Sequence, residues 1–266
     1  MNPVLAPIET SEAVGSKAMP SGRVLRAYAV EAKYESLRMM RTPAFLAPFL
    51  ALPAGLYLLF AVLLFGAEIA KDPKAGLFTF IGFSVFGVLG PGMFGFGVSI
   101  AMERETGLYT LKRALPMPPG ASLIAKMLMS MLFVAAIMAT MVAAAPLGHL
   151  RLGAVQLLSL SLVNIAGSLP FCALGFLVGS LASGKAAPAF VNLLYLPMIY
   201  LSGIFFPLPK SMHWFAAISP AYHLDQLAFA SVGAANDGAA ALHVLVLAGL
   251  TLACTMLALR RLARVG

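Results

Sequence analysis

The chain has 266 residues, of which 61% are hydrophobic and only 11% are Asp, Glu, Lys or Arg, against roughly 25% charged residues in a soluble domain. So few charges exclude a water-soluble globular surface. The bilayer is then the main solvent, and the length leaves room for one membrane domain and no second large soluble one. The net charge of +8 would suggest nucleic acid in a soluble protein, but in a membrane chain the placement of charge outweighs its sum, and no nucleic-acid partner is expected.

Residues 1–20 are polar and contain Pro, Ser and Glu. They lack the basic start, apolar middle and small-residue cleavage site of a signal peptide, and a disordered cytoplasmic tail is expected. Residues 21–42 follow. Within them Leu25, Tyr28, Ala29, Ala32, Ser36, Met39 and Met40 recur at helical spacing and form one mostly apolar face. Arg26, Glu31, Lys33, Glu35, Arg38 and Arg41 point elsewhere, so an amphipathic helix in the headgroup layer is expected, with Arg26, Lys33, Arg38 and Arg41 toward the cytoplasm.

Residues 43–266 read as a six-span membrane domain. Crossing about 30 Å of hydrocarbon takes about 20 helical residues. Six runs qualify: Ala44–Gly66, Leu77–Ala101, Ala121–Pro146, Ala154–Ala182, Ala186–Phe206 and Ala239–Leu259. They are too long and too uniformly apolar for barrel strands, so the expected fold is all-α. The fourth is the longest and is expected to tilt, break at Pro170 or begin outside the hydrocarbon. Of the 18 Lys and Arg, only Lys71, Lys74, Arg151 and Lys210 fall outside if the N-terminus is inside. The positive-inside rule selects that topology and places both termini in the cytoplasm.

Between the second and third runs lies the most charged loop, Glu103 to Pro116. Gly107 can break the preceding helix. Leu108, Leu111 and Leu115 share a face, and Pro116, Pro118 and Pro119 stop continuation. A short amphipathic helix is expected, showing Lys112 and Arg113 to the cytoplasm. Near the other end, residues 207–238 form a long external connection with the only Trp, Trp214, and with Phe215, Tyr222, His213 and His223. Such aromatics favour the interface, and short helices dipping into the outer leaflet are expected.

Two nucleotide-like motifs fail on context. Gly179 to Ala186 resembles a phosphate loop but has Ala186 where the Mg-binding hydroxyl belongs, and it ends an apolar run. Gly90, Gly92 and Gly95 match a dinucleotide pattern inside a span, with no strand before them and no acidic partner after. Small residues at Gly87, Pro91, Gly95 and Ser99, and at Gly175, Gly179 and Ser183, recur every four positions and suit close helix packing in lipid. Pro91 is placed to kink the second span. His149, His213, His223 and His243 lack the spacing of a helical metal pair, and interfacial or capping roles are expected. Cys172 and Cys254 lie in apolar runs and indicate no disulfide framework.

The six runs hold no Asp or Glu. Their only charged residue is Lys126, near the cytoplasmic end of the third run, where snorkelling is expected. Proton and ion pathways usually need intramembrane ionisable groups, yet the polar material here is Asn164, Gln156, Asn192, Ser and Thr. A pump built this way draws its energy from another chain. An ion-coupled secondary transporter or channel is the alternative, and a membrane-embedded enzyme a third class, for which no cluster of His, Asp and Ser at one depth is found.

Four stretches resemble the type-2 class of ABC transporter permeases, the membrane subunits of ATP-driven exporters. They are the basic helix before the first span; Glu103, Arg104, Glu105, Thr106 and Gly107 running through Leu111 and Pro116 to Pro118; Leu201, Ser202, Gly203, Ile204, Phe205, Phe206 and Pro207; and Ile218, Ser219, Pro220, Ala221, Tyr222 and His223. Tyr109 departs from the family's loop pattern as an extra residue before Thr110 and Leu111. The resemblance implies two permease copies with two separate soluble ATPase subunits, no cofactor on this chain, and ATP and Mg on the partner. It implies that Glu103, Arg104, Glu105, Gly107, Leu108, Leu111, Lys112, Arg113 and Leu115 belong to a coupling helix that docks on the ATPase. It implies an external gate of short re-entrant helices carrying Gly203, Phe205, Phe206, Pro207, Pro220 and Tyr222. The expected location is the inner membrane, and the apolar path suits a lipophilic or amphiphilic cargo such as a drug, a lipid or a lipid-linked glycan.

Overall fold

The computed structural model describes residues 21–114, 118, 120–148, 150–205 and 209–265, and within these every regular element is helical. The expected tail, Leu115, Pro116, Phe206 and Pro207 lie outside the described residues. Helix α1 is Ser21–Met40 and α2 is Pro43–Leu58. Pro43 disfavours helical geometry at the residue before it, and Thr42 sits at φ −110, ψ 74. The chain therefore turns between α1 and α2 instead of continuing as one rod. A π-helical segment, Leu59–Leu64, extends α2, and α3 (Gly66–Lys71) follows.

The Asp72 side chain caps the next helix by accepting from the Lys74 backbone N at 2.9 Å, with Pro73 at the first helical position, where its missing N–H costs nothing. Helix α4 (Pro73–Gly90) runs into a π-helical segment, Pro91–Val98, and then into α5 (Ser99–Glu105). Pro91 cannot donate to the preceding turn, so the ladder changes register where it stands. The whole stretch Pro73–Glu105 is one candidate span and forms the centre of the bundle. Its apolar window is 72% buried, against 17% in Ala47–Leu64 and 22% in Ala240–Arg264.

A left-handed Gly107 (φ +74) separates α5 from α6 (Leu108–Ala114), and α7 is Ala121–Ala144, prolonged by a 3-10 turn to Gly148. The fourth run divides into α8 (Ala154–Ala166) and α9 (Ser168–Leu181). The break falls at Gly167, three residues before Pro170, because Pro170 can neither donate to nor clear the carbonyl one turn back. Helix α10 is Ala187–Leu201. The expected fifth run extends to Phe206, but Gly203 adopts φ +78 and the helix ends at Leu201. At 15 residues it is about 22 Å long, short of a full crossing. The short helices α11 (His213–Ala216) and α12 (Pro220–Ser231) lead to the last helix, α13 (Ala240–Val265). Among the described residues, five helical stretches are long and apolar enough to cross a membrane, and α10 is a shorter apolar one.

Two devices hold the centre. In the interior, Asn164 of α8 donates to the Ser84 hydroxyl of α4 at 3.1 Å, the kind of interhelical polar contact that joins helices in lipid. The second device is a backbone-to-backbone approach between Pro91–Val98 and α9. A Cβ on Gly97 would lie 2.5 Å from the Gly175 carbonyl, one on Gly175 would lie 2.7 Å from the Gly92 carbonyl, and one on Gly179 would overlap Gly97. The Gly175 and Gly179 row expected at four-residue spacing therefore serves packing. Its partner row is Gly92 and Gly97, five apart, rather than Gly87, Pro91 and Gly95. A π-helical turn brings residues five apart onto one face, so the α-helical period misassigns that row.

Gly175→Val is expected to lower the stability of the purified protein by about 1–3 kcal/mol through overpacking. Gly249→Ala, where a Cβ meets nothing within 4 Å, is expected to be neutral. Thermal unfolding of the two variants in detergent checks the contrast.

Candidate functional site

A cluster of paired charges is buried at one end of the bundle. Lys126, in the second turn of α7, is 1% exposed, and so is Glu103 of α5. The Lys126 Nζ lies 2.8 Å from Glu103 Oε1 and 2.9 Å from Glu35 Oε1 of α1. Lys112 of α6 places its Nζ 2.7 Å from Glu35 Oε1, 2.8 Å from Glu31 Oε1 and 3.8 Å from Glu103 Oε2. Arg38 of α1 donates to Glu103 Oε1 at 2.6 Å. Glu31, Glu35 and Glu103 thus face Arg38, Lys112 and Lys126, a neutral set drawn from four separate helices. Buried ions cost several kcal/mol each unless paired, so the four helices are held in one arrangement.

The electrostatics of the set follow from this packing. Burial works to raise the Glu35 carboxyl, but the charges and hydrogen bonds of Lys126 and Lys112 outweigh it and hold the group below its ordinary value of 4.5. Burial works to lower Lys112, but hydrogen bonds to Glu31 and Glu35 and the charges of Glu103 and Glu35 overcome it, raising the amine above 10.5. The carboxylate's contribution is complete above the unfolded value and is lost as pH falls through the depressed folded value. The amine's contribution is complete below 10.5 and is lost as pH rises above it.

Three sequence expectations change here. Lys126 does not snorkel; it turns inward because two carboxylates solvate it better than a distant headgroup layer. Glu31 and Glu35 do not point away from the docking face of α1 but into it. That rotation leaves Leu25 and Met40 exposed, while Tyr28, Ala32 and Met39 stay at least half-buried. Lys112 is drawn inward as well, instead of being shown to solvent. Arg26 and Lys33 of α1 are exposed, and so is Arg41 just after it.

The remaining loop residues divide between bundle and surface. Arg104 donates to the carbonyls of Gly179 at 2.9 Å and Ser180 at 2.8 Å. A cation there satisfies the free carbonyls and favours the negative end of α9. Glu105 accepts from the Lys185 backbone N at 3.3 Å. Leu108 is half-buried, whereas Leu111 is 59% exposed. Arg113 belongs to the last turn of α6. Glu105, Thr106, Gly107, Thr110, Leu111 and Ala114 face outward, with Leu111 the large apolar side chain among them, and the charged residues Glu103, Arg104 and Lys112 lie behind.

A cavity of about 320 Å³ adjoins the cluster, lined by Glu35, Arg38, Thr42, Phe94, Val98, Met102 and Pro188. From it an aromatic row crosses the bundle. Phe94 meets Tyr195 at 5.4 Å between ring centres, Tyr195 meets Phe86 at 6.2 Å, and Phe205 meets Phe86 at 5.5 Å and Phe83 at 5.4 Å. The row ends at a second cavity of about 270 Å³, lined by Phe60, Phe83, Tyr200 and Phe205 among others. Phe96, on the other side of the span, packs against Phe176 instead. At this second end the Ser202–Phe205 turn rests on Gly82, where a Cβ would strike the Ile204 carbonyl. Pro220 opens α12, and the buried Tyr222 donates to Asp237 Oδ2 at 3.3 Å.

The model of the ABC-2 type transporter family matches residues 27–231, from α1 to the end of α12. The chain belongs to the ABC-2 type transporter family. The family match takes in the whole ion-pair cluster, both cavities and the α12 end. Among curated proteins, this ABC-2 chain is 28% identical over 144 residues to the Bacillus subtilis (strain 168) protein named "Putative transport permease YvfS". The match covers 53% of this chain and 59% of that relative, so the chain spans little more than half its length. The protein is thus a multi-pass membrane member of the ABC-2 type transporter family.

Lys126→Met leaves two buried carboxylates facing each other and is expected to cost about 3–5 kcal/mol, with Lys126→Met plus Glu103→Leu recovering a substantial part. Denaturant unfolding of the three proteins checks the coupling. Hydrogen-exchange protection of α1 is expected to stay level between about pH 5 and 10 and to fall below the ordinary carboxylate range, where Glu35 takes up a proton.

Proposed function

We propose that the chain is the membrane subunit of an ABC exporter, driven by ATP and Mg bound to a separate soluble ATPase at the ion-pair end of the bundle. In this reading that end is cytoplasmic, both termini lie there, and the protein resides in the inner membrane. Residues 21–42 lie along the headgroup layer, and residues 43–266 form the membrane domain. α10, with the turn after it, makes the sixth crossing. A second copy of the same or a similar permease completes the path.

The observation that carries the reading is the placement of α6. Its Leu111 side is free, while its Lys112 is tied to Glu31 and Glu35 of α1 and approaches Glu103 of α5. A protein that grips α6 through Leu108, Leu111 and Leu115 therefore moves more than a loop. The displacement passes through Lys112 to α1, through Gly107 to the central span, and through Arg104 to the end of α9. Charge pairs suit this use because they hold direction as well as distance. The central span then carries the motion to Gly82, against which the Ser202–Phe205 turn rests. Gly203, Phe205, Phe206, Pro207, Pro220 and Tyr222 form the outer gate in this scheme.

The cargo follows from the path. An aromatic row joining an ion-rimmed cavity to an aromatic one suits a lipophilic or amphiphilic compound better than a hydrated ion. Pockets of this kind bind mainly through apolar surface with a few polar groups for orientation.

Leu111→Asp is expected to reduce co-purification of the ATPase at least tenfold while leaving the thermal stability of the permease unchanged, since a surface substitution away from special features usually shifts stability by within about 0.5 kcal/mol. Undiminished complex and transport would remove the docking role. Transport by the purified permease alone on a cation gradient would remove the ATP-driven reading and favour an ion-coupled transporter.

A further inference from the structure

At the end of the bundle remote from the ion pairs, α12 packs against the first turns of α13. His223 on α12 and His243 on α13 are 4% and 2% exposed, and their Nδ1 atoms lie 2.8 Å apart. Both of the other ring nitrogens are already engaged. His223 Nε2 is 2.8 Å from the Ala217 carbonyl oxygen, and His243 Nε2 is 2.6 Å from the Asp237 carbonyl oxygen. A carbonyl oxygen only accepts, so each Nε2 carries its hydrogen. A neutral imidazole has a single N–H. Two neutral rings that both donate through Nε2 would therefore bring two bare lone pairs face to face at 2.8 Å. Three contacts need three N–H groups, and two rings with three N–H groups carry one positive charge.

The geometry points to a proton-binding site in which one H⁺ is held between His223 Nδ1 and His243 Nδ1 and latches α12 to the start of α13. With the proton on, all three hydrogen bonds are made. With it off, the lone pairs repel, or one ring turns and leaves its carbonyl without a donor. Either change loosens α12 from α13. The latch is therefore complete in acid and is lost as pH rises through the titration of the pair. Burial works to lower His223 and the neighbouring His243 adds to this, while the hydrogen bond to Ala217 works upward; the net direction is below the ordinary value of 6.5 and opposes the latch. Acid tightens α12 on α13 only because the shared proton gains both Nδ1 atoms at once when the two helices are together.

The surroundings leave the pair to hold its own proton. On α12, Tyr222 turns its hydroxyl to Asp237 Oδ2. Asp225 is buried with no cation paired to it among the described residues and is pushed up to about 8 by burial, so it is uncharged where the histidines titrate. The loop before α13 supplies Asp237. Of the other helices packed on α12, α4 carries only Lys74, in its exposed first turn, α10 carries Tyr195 and Tyr200, and α8 carries no titratable residue. Cys254 and the arginines of α13 lie in its second half. A shared metal ion fits less well than a proton. Two nitrogens bound at about 2.0–2.1 Å to one tetrahedral zinc stand more than 3 Å apart, and among the described residues no third ligating side chain joins the two.

The test uses the full-length chain in lipid nanodiscs, labelled with ¹⁵N-histidine. Solid-state NMR at about pH 5 is expected to show a protonated pair with coupling between the two Nδ1 atoms, replaced by two neutral rings by about pH 8. Over the same range the exchange protection factors of Leu224–Phe229 and of the first turns of α13 are expected to fall roughly tenfold, the size expected for loss of one charge-assisted hydrogen bond. His243→Gln is expected to flatten that dependence; if this variant does not fold, the wild-type spectra decide alone. Two neutral rings at acid pH, protection that ignores pH, or protection restored at neutral pH by zinc would overturn the proposal.

Discussion

One lysine sets the arrangement of the ion-pair end. Lys126 is almost wholly buried, and it is positioned by two carboxylates that reach it from different parts of the chain, Glu35 from α1 and Glu103 from the end of the central span. A single cation cannot neutralise both, and the excess charge brings in Lys112 from α6 and Arg38 from α1. Each added partner ties down another segment. The location of α1 is thus decided by charge as well as by apolar contact, and so is the angle at which α6 leaves the membrane domain.

This constraint also divides the surface by function. Residues whose charges are consumed in the cluster cannot face a partner, so Glu103 and Lys112 act behind the surface and not on it. The outward side of α6 is left with Thr110, Leu111 and Ala114, and the outward side of α1 carries Arg26 and Lys33, with Arg41 just after it. In the proposed coupling, a rigid ionic base beneath a small apolar contact favours transmission over affinity. The central span connects this base to the aromatic row and to the turn at Gly82, so both ends of the molecule depend on one helix.

The membrane class and most spans are legible in the sequence, because about 20 apolar residues without charge admit few other structures. The break in the fourth run and the shortened α10 are less so, since both depend on where a single glycine, Gly167 or Gly203, lets the helix change direction. The cluster itself was half visible. Glu103, Arg104 and Lys112 stand out by charge, but a lysine near the end of an apolar run reads as a snorkelling residue, and nothing local reports the two carboxylates waiting for it. The signal that could have found Glu31 and Glu35 is their four-residue spacing beside Ala32 and Tyr28, which puts both acids on one edge of an otherwise apolar face. The Gly92 and Gly97 row is hidden from a helical period of 3.6, because the π-helical segment Pro91–Val98 does not keep that period.

That irregular segment has a bearing on the buried charge a turn below it. An α-helix advances about 100° per residue, so the angular position of everything after Val98 is set by how many residues Pro91–Val98 winds into its wide turns. Glu103 aims at Lys126 only with that extra winding in place. Removing one residue there, or tightening the segment to ordinary α geometry, would swing the carboxylate about a quarter of a circle away from its cation. The glycine seam and the ionic base are consequently in phase with each other, like two marks on one shaft, and neither can shift register along the chain without misaligning the other.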